Sequence, residues 1–287
     1  MSILLDMKLC SDLKVDPAYL ESIPELRADS AEAAYYRAIM NRIPTAEREK
    51  IKEIYAERGK IIQTTRPKGD ALLKLKFQWY LQDYLACVAS VDENVGRVLN
   101  YLDSAGLTKN TLVIYTSDQG FYMGQNGWFD KRWMYDVSMR TPLLMRWPGK
   151  INPGTRTAAM VQNIDYAPTI LTATGTPIPD WMQGISILPY AMAANKKPER
   201  DALYYHFYEY SADHTVLQHL GIRSDRYKLI YFYTVNEWEL YDLKKDPREQ
   251  TNLINAPAYK KIAADMKQSL NKLRDKYDDH EPAGELR

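Results

Sequence analysis

Cysteine and histidine are scarce in this 287-residue chain. Cys10 and Cys87, the two cysteines, make neither a disulfide framework nor a thiolate metal site. The four histidines (His206, His214, His219 and His280) all fall in the last third, so a zinc centre built from imidazoles is not expected. Net charge is nearly absent as well: 38 basic residues against 37 acidic ones leave no basic field for nucleic acid. No apolar run is long enough to cross a bilayer. The opening residues, MSILLDMKLCSDLK, lack the long apolar segment of a secretory signal. Neither a nucleic-acid nor a membrane partner is therefore expected. Tyrosine, by contrast, is abundant (22), which suits a wet or carbohydrate-facing surface.

The remaining pattern alternates helices with strands. Ser30-Ala31-Glu32-Ala33 can cap a helix carrying Tyr35, Tyr36, Ile39 and Met40, and Thr45-Ala46-Glu47-Arg48 starts a second. A long helix is predicted over roughly Leu72 to Ser104. Phe77, Leu81, Tyr84, Leu85, Val88, Val91, Val95, Val98 and Leu102 recur there at three- or four-residue steps and lay one apolar stripe along a face. Thr111 to Thr116 reads as a buried strand, Pro142 to Trp147 as a second apolar strand, and Val161 to Thr174 as a short strand followed by a helix with Asp165 at its N-cap. Beyond Asn195-Lys196-Lys197-Pro198 the texture changes to aromatic strands: Ala202 to Tyr210, Leu220 to Arg223, Tyr227 to Tyr233 and Trp238 to Leu243. Strands in series without helices between them predict an antiparallel sheet. A last helix, about Ala258 to Tyr277, has Ile262, Met266, Leu270 and Leu273 on the face that would pack across it. The expected organisation is a first domain over 1–196 and a second over 197–287.

Chemistry concentrates just after the first strand, at Ser117-Asp118-Gln119-Gly120. Ligand groups in α/β sheets sit beyond the carboxyl ends of strands, although Asp and Gly are also ordinary turn residues. Asp118 and the carbonyl of Gln119 are hard oxygen donors that can bind one Ca²⁺ or Mg²⁺. Lys131 follows on a glycine-containing loop that can fold it back over the same point. A cation plus an ammonium suits a reaction on a sulfate or phosphate ester, because both stabilise charge on the non-bridging oxygens.

The run S-D-Q-G-F-Y-M-G-Q-N-G-W-F-D-K, with R-T-P-L and Pro148-Gly149 after it, resembles the second conserved block of the formylglycine-dependent sulfatases. Further landmarks are Met182-Gln183-Gly184, Arg223-Ser224-Asp225-Arg226-Tyr227-Lys228 and Glu239-Leu240-Tyr241-Asp242-Leu243. Together they resemble most the C-terminal portion of the bacterial heparan- and N-sulfoglucosamine-sulfatase type. The resemblance implies an α/β fold: part of an alkaline-phosphatase-like sandwich, with a mixed sheet flanked by helices, plus a C-terminal antiparallel sheet packed by a helix. It implies Asp118 and Gln119 as calcium ligands and Lys131 on the sulfate, and it puts His214 and His219 where related sulfatases place substrate contacts, with an exposed inert histidine as the equal alternative. Arg223 and Arg226 read as able to meet an anionic sugar, or as strand-end arginines that cover a face or cap carboxylates. A sulfated carbohydrate is the implied partner, with a homo-oligomer or a complementing N-terminal chain as further expectations. The intact family is generally periplasmic or secreted.

Two departures qualify that resemblance. The family nucleophile lies in C-x-P-S-R or S-x-P-x-R, where Cys or Ser becomes formylglycine. Cys10 precedes Ser-Asp-Leu-Lys and Cys87 precedes Val-Ala-Ser-Val, so neither fits; Ser22-Ile23-Pro24-Glu25-Leu26 has Leu26 where Arg belongs and reads as a loop. No nucleophile is assigned in this chain, and formylglycine is expected only in a preceding N-terminal part. Gln125-Asn126 also stands where the family commonly has Glu-His, and Asn126 cannot titrate in place of His. The expectation is a sulfatase-family chain with little turnover of its own, or alternatively a non-catalytic glycan binder or one half of a split enzyme. Trp128, Trp133 and Trp147 are read as core packing, His206 as a satisfied sheet residue and His280 as solvated.

Overall fold

The computed structural model describes residues 38, 40–193, 200–209 and 216–286. The expectations for Cys10, for Ser22 to Leu26, for the helix starting at Ser30 and for His214 lie outside the described residues. The chain folds as two compact units, one running through Arg97 and including Met123–Phe129, the other formed by Val98–Tyr122 with Asp130 onward. The expected boundary near Lys196 falls inside the second unit, where residues 194–199 are not described.

Two helices make up most of the described part of the first unit. Helix α1 spans Thr45–Thr65, and α2 spans Gly69–Ser104 with its last turns in the second unit. They are joined by a two-pronged ion pair: both guanidinium nitrogens of Arg58 lie 2.7 Å from the carboxylate oxygens of Asp83. The flat Arg58 head also rests 5.3 Å from the Tyr55 ring centre and 5.5 Å from that of Trp79. This planar, bidentate geometry suits arginine and not lysine. Ile62 and Trp79 are buried beside it. The apolar stripe forms as predicted, yet Leu85, Val88 and Val91 are exposed. Periodicity identifies the apolar face of a helix; it does not supply the neighbour that covers it.

The second unit carries strands β1 (Val113–Thr116), β2 (Tyr122–Met123, shared with the first unit), β3 (Phe129–Asp130, likewise shared) and β4 (Leu143–Arg146), with the short helix α3 (Asp136–Met139) between β3 and β4. β1 pairs antiparallel with β4, Tyr115 opposite Leu144. Both of these side chains are exposed, so β1 is half-buried where a buried strand was expected, and β4 is half-buried with it. The short strand expected at Val161 is absent. Asn163–Asp165 instead forms a single 3₁₀ turn leading into α4 (Tyr166–Thr174). Asp165 is not a simple N-cap: it is fully buried, accepts from the Gln162 and Ile185 N–H groups, and pairs with Arg200 at 2.7 and 2.9 Å. Helix α5 (Leu188–Met192) follows.

Four antiparallel strands of six residues each come next, in the order β5 (Ala202–Phe207), β6 (His219–Ser224), β7 (Tyr227–Phe232) and β8 (Glu237–Asp242). The final helix α6 (Lys260–Tyr277) packs on one face of that sheet. Side chains alternate across a strand. Leu220, Ile222, Leu229, Tyr231 and Leu240 therefore meet Ala263, Met266 and Leu270 of the helix in one core. The opposite face carries Arg223, Lys228, Phe232, Glu239 and Tyr241 and supports the loop described below. No helix among the described residues is long and apolar enough to cross a membrane. Leu270 is fully buried at the centre of the helix–sheet core. Leu270→Ala is expected to lower unfolding stability by about 2–5 kcal/mol, read from urea midpoints; an unchanged midpoint would remove this contact from the core.

Candidate functional site

The turn after β1 is locally organised by Ser117, whose Oγ donates to the Gln119 carbonyl at 2.9 Å and lies 3.3 Å from the Asp118 carboxylate. Thr116 Oγ1 meets the Tyr166 hydroxyl at 2.7 Å, tying the strand end to α4. The Asp118 carboxylate is left exposed. Gly120 then passes against α3: its N–H donates to the Ser138 carbonyl at 2.7 Å. A Cβ at position 120 would lie 2.2 Å from the Val137 carbonyl oxygen, so no larger residue fits without moving the helix.

The loop of Lys131 is tied to the same helix through its neighbour. The next residue, Arg132, donates its backbone N–H to Ser138 Oγ at 2.9 Å, and its carbonyl accepts from the Tyr205 hydroxyl at 3.0 Å. Ser138 is buried, and it holds Gly120 through its main chain and Arg132 through its side chain. The Asp118-Gln119 turn and the Lys131 loop are thereby anchored to one residue. Lys131 is flanked by two non-glycine residues with positive φ, Asp130 at 76° and Arg132 at 105°. Such conformations persist only when the surroundings over-determine them, and they gather at functional sites. The Lys131 ammonium lies 3.5 Å from Asp130, which also pairs with Arg132.

The loop that follows is fastened to the back of the C-terminal sheet. Trp133 stacks with His219 and meets Phe232 edge-on. Met134 fits over Gly221, where a Cβ would come within 2.5 Å of its sulfur. The Tyr135 hydroxyl donates to Glu239 at 2.7 Å, and Glu239 also accepts from Tyr241. Lys228 lies within 2.6 Å of both Asp136 and Glu249, and Glu249 in turn accepts from the Asp136 N–H at 2.6 Å. Burial pushes the Asp136 carboxyl up, but Lys228 and Arg223 outweigh it and hold the group below the usual carboxylate range. Burial wins at Glu249 and Glu239, which both shift upward.

The predicted site residues divide into three sets. Gly120, next to Gln119, and Arg132, next to Lys131, both bond to Ser138. Arg223 is half-buried against Asp136 at 3.4 to 3.5 Å and also donates to the Ser224 carbonyl at 3.0 Å. His219 was expected on a substrate-contacting loop, but it opens strand β6 and is fully buried among Trp133, Tyr205, Phe207 and Phe232. Its Nδ1 pairs with the Leu217 carbonyl, so its role here is packing. His206 is satisfied, as predicted, between Asp279 and the Tyr233 hydroxyl, and Trp128 and Trp133 are core residues.

Sequence reasoning missed Ser138, Lys228 and Glu249. Asp136 meets Lys228 across 92 positions and Glu249 across 113, and no local spacing announces such pairings. The metal expectation can be tested on donor chemistry. Asp118 and Gln119 offer oxygens of the right hardness, but among the described residues no three His, Cys, Asp or Glu side chains form a group able to hold a metal. Calcium takes six to eight oxygens, so these two residues fit a cation as part of a set.

Two predictions follow from this arrangement. Ser138→Ala keeps the carbonyl bond to Gly120 and loses the bond to Arg132, which should cost about 1 kcal/mol of stability in thermal unfolding and raise hydrogen exchange at Arg132. Unchanged exchange there would refute the anchor. The second concerns His219, whose pKa burial depresses from 6.5 to about 4. Between those values the unfolded chain takes up a proton that the folded chain refuses. Stability should therefore fall as pH drops from about 6.5 to about 4, by about 1.4 kcal/mol per unit at most. The raised carboxyls oppose this trend, so the measurement is the difference between wild type and His219→Phe. Equal pH slopes for the two would contradict the assignment.

Comparison with known proteins bears on this geometry. A family model described as N-sulphoglucosamine sulphohydrolase, C-terminal, matches residues 124–276, and one described as sulfatase matches residues 33–176. An N-acetylglucosamine-6-O-sulfatase of Bacteroides thetaiotaomicron is 42% identical over 261 residues, covering 90% of this chain and 46% of the relative. The solved structure of BT4656 in complex with its substrate D-glucosamine-2-N,6-O-disulfate superposes with a TM-score of 0.87 at 39% identity, over 97% of this chain and 57% of that one. A phosphonate monoester hydrolase from Silicibacter pomeroyi superposes with a TM-score of 0.65 at 25% identity, over 72% of this chain and 43% of that one. The chain thus spans about half the length of the relatives it matches.

Proposed function

Because the chain belongs to the sulfatase family, we propose that it forms the part of a glycan sulfatase that grips the sulfate group and shapes the sugar site. The substrate in this reading is a sulfated glucosamine unit, carrying a sulfate ester or a sulfamate. One observation carries it: Ser138 anchors both the Asp118-Gln119 turn and the strained loop of Lys131.

Each residue has a role in that reading. Lys131 sets its ammonium against the non-bridging sulfate oxygens, where charge must be neutralised for the ester or sulfamate bond to break. Asp118 and Gln119 contribute oxygens to a Ca²⁺ or Mg²⁺ site completed by other groups. When bound, that cation would supply further positive charge to the same oxygens. Neither cysteine lies in a nucleophile motif, so this chain contributes binding and electrostatics rather than the attacking group. A non-catalytic glycan binder or one half of a split enzyme would use the same residues in the same way.

Calorimetry with a sulfated glucosamine monosaccharide tests the assignment. The wild type should bind it and ignore the desulfated sugar. Lys131→Ala should weaken binding about tenfold or more, the scale of one lost charge-assisted contact. Asp118→Asn should abolish any enhancement of binding by added Ca²⁺. Indifference to the sulfate would refute the reading, and hydrolysis of an aryl sulfate at a full sulfatase rate would refute the assignment of binding without attack.

A further inference from the structure

A second concentration of charge lies beside α3 and is not used by the reading above. Asp136, Arg140, Arg223, Asp225, Arg226 and Lys244 line a cavity of 630 Å³ at the end of the four-stranded sheet. Four cationic side chains face two acidic ones there, drawn from α3 and the residue after it, strand β6, the β6–β7 turn and the segment after β8. This cluster contrasts with a whole chain that is almost neutral.

How far each cation is already committed decides what the cavity can hold. Asp136 takes the Lys228 ammonium at 2.6 Å, which leaves Arg223 only long contacts of 3.4 and 3.5 Å to it. A hydrogen bond of that length is weak, so the Arg223 guanidinium keeps bonding capacity. Arg226 forms a two-pronged pair with the fully buried Asp242 at 3.0 and 2.7 Å, which fixes its head while 43% of its side chain stays exposed. Arg140 and Lys244 are exposed and have no side-chain partner among the described residues. The cavity thus combines two guanidinium groups already held by hydrogen bonds with two exposed cations, an arrangement suited to the oxygens of sulfate or carboxylate groups.

Its position points to the ligand. Val137 lines this cavity with its side of α3, and the Val137 and Ser138 carbonyls of the same turn press against Gly120 at the sulfate-gripping turn. We propose that this cavity is an auxiliary subsite for an anionic group on a neighbouring sugar of the same sulfated glycan, separate from the group held by Lys131. The identity of the glycan rests on the function proposed above; the existence of the subsite does not depend on Lys131. Binding two anionic groups of one glycan at two sites of one protein makes the second contact effectively intramolecular and raises affinity without new chemistry.

The test uses the full 287-residue chain as wild type, as Lys131→Ala and as the Arg140→Ala/Lys244→Ala double variant. Each is titrated with a sulfated glucosamine tetrasaccharide, its monosaccharide unit, the desulfated tetrasaccharide and polyglutamate. The double variant alters exposed side chains only, so its thermal unfolding should match wild type. It should bind the tetrasaccharide about tenfold more weakly, with a shallower dependence on salt, and bind the monosaccharide as wild type does. Lys131→Ala should weaken both sulfated sugars. If the double variant binds the tetrasaccharide as wild type does, the subsite is refuted while the role of Lys131 stands. If the double variant loses tetrasaccharide affinity and Lys131→Ala changes nothing, the subsite stands and the proposed function fails. Failure of wild type to bind the tetrasaccharide, or tighter binding of polyglutamate, overturns the subsite as a glycan site.

Discussion

The candidate site depends on a buried ammonium. Lys228 projects from the middle of the C-terminal sheet and is almost fully enclosed, with Asp136 on one side and Glu249 on the other. A charge in such a place is tolerable only with partners, and these two carboxylates also fasten α3, since Glu249 accepts from the Asp136 N–H. A four-residue helix has no stability of its own. Its position here is set by the lysine beneath it, and the positions of Gly120 and Arg132 are set in turn by Ser138 of that helix. The polar face of the sheet therefore acts as the foundation of a site whose functional side chains come from elsewhere in the sequence.

That dependence explains why the two faces of one sheet differ so much in composition. The face toward α6 is aliphatic and aromatic and contributes stability through burial alone. The other face presents Arg223, Lys228, Glu239 and Tyr241, which specify where the loop from Trp133 to Asp136 must lie. Removing a member of such a network leaves a buried charge or hydroxyl without its partner, which costs more than losing an apolar contact of similar size. Stability and placement are thus divided between the faces of the same four strands.

Much of this architecture was legible in the sequence, for a physical reason. Helices α1, α2 and α6 and the four C-terminal strands announce themselves through local periodicity, and the Asp118-Gln119 turn through its place after an apolar run. Polar pairing across a hundred residues carries no such signature, so Ser138, Lys228 and Glu249 were invisible. Asp165 shows the intermediate case: its position at the start of α4 was readable, but its buried ion pair with Arg200 was not. His219 failed for another reason, because a histidine beside a predicted loop looks available until the aromatic rings around it are placed. The exposed stripe on α2 marks the same boundary from the other side, since its periodicity was correct while its surroundings could not be read.

The span of these contacts also constrains when the site can come into being during synthesis. The Asp136–Glu249 bond closes 113 positions and the Tyr135–Glu239 bond closes 104. Contacts so distant along the chain are entropically expensive to close and form late. A nascent chain halted before residue 249 would already contain Asp118, Gln119, Ser138 and Lys131, yet would lack the Glu249 carboxylate that accepts from the Asp136 N–H and pairs with Lys228. The residues of the candidate site are thus translated early, and the polar network that positions α3 is complete only once Glu249 has emerged.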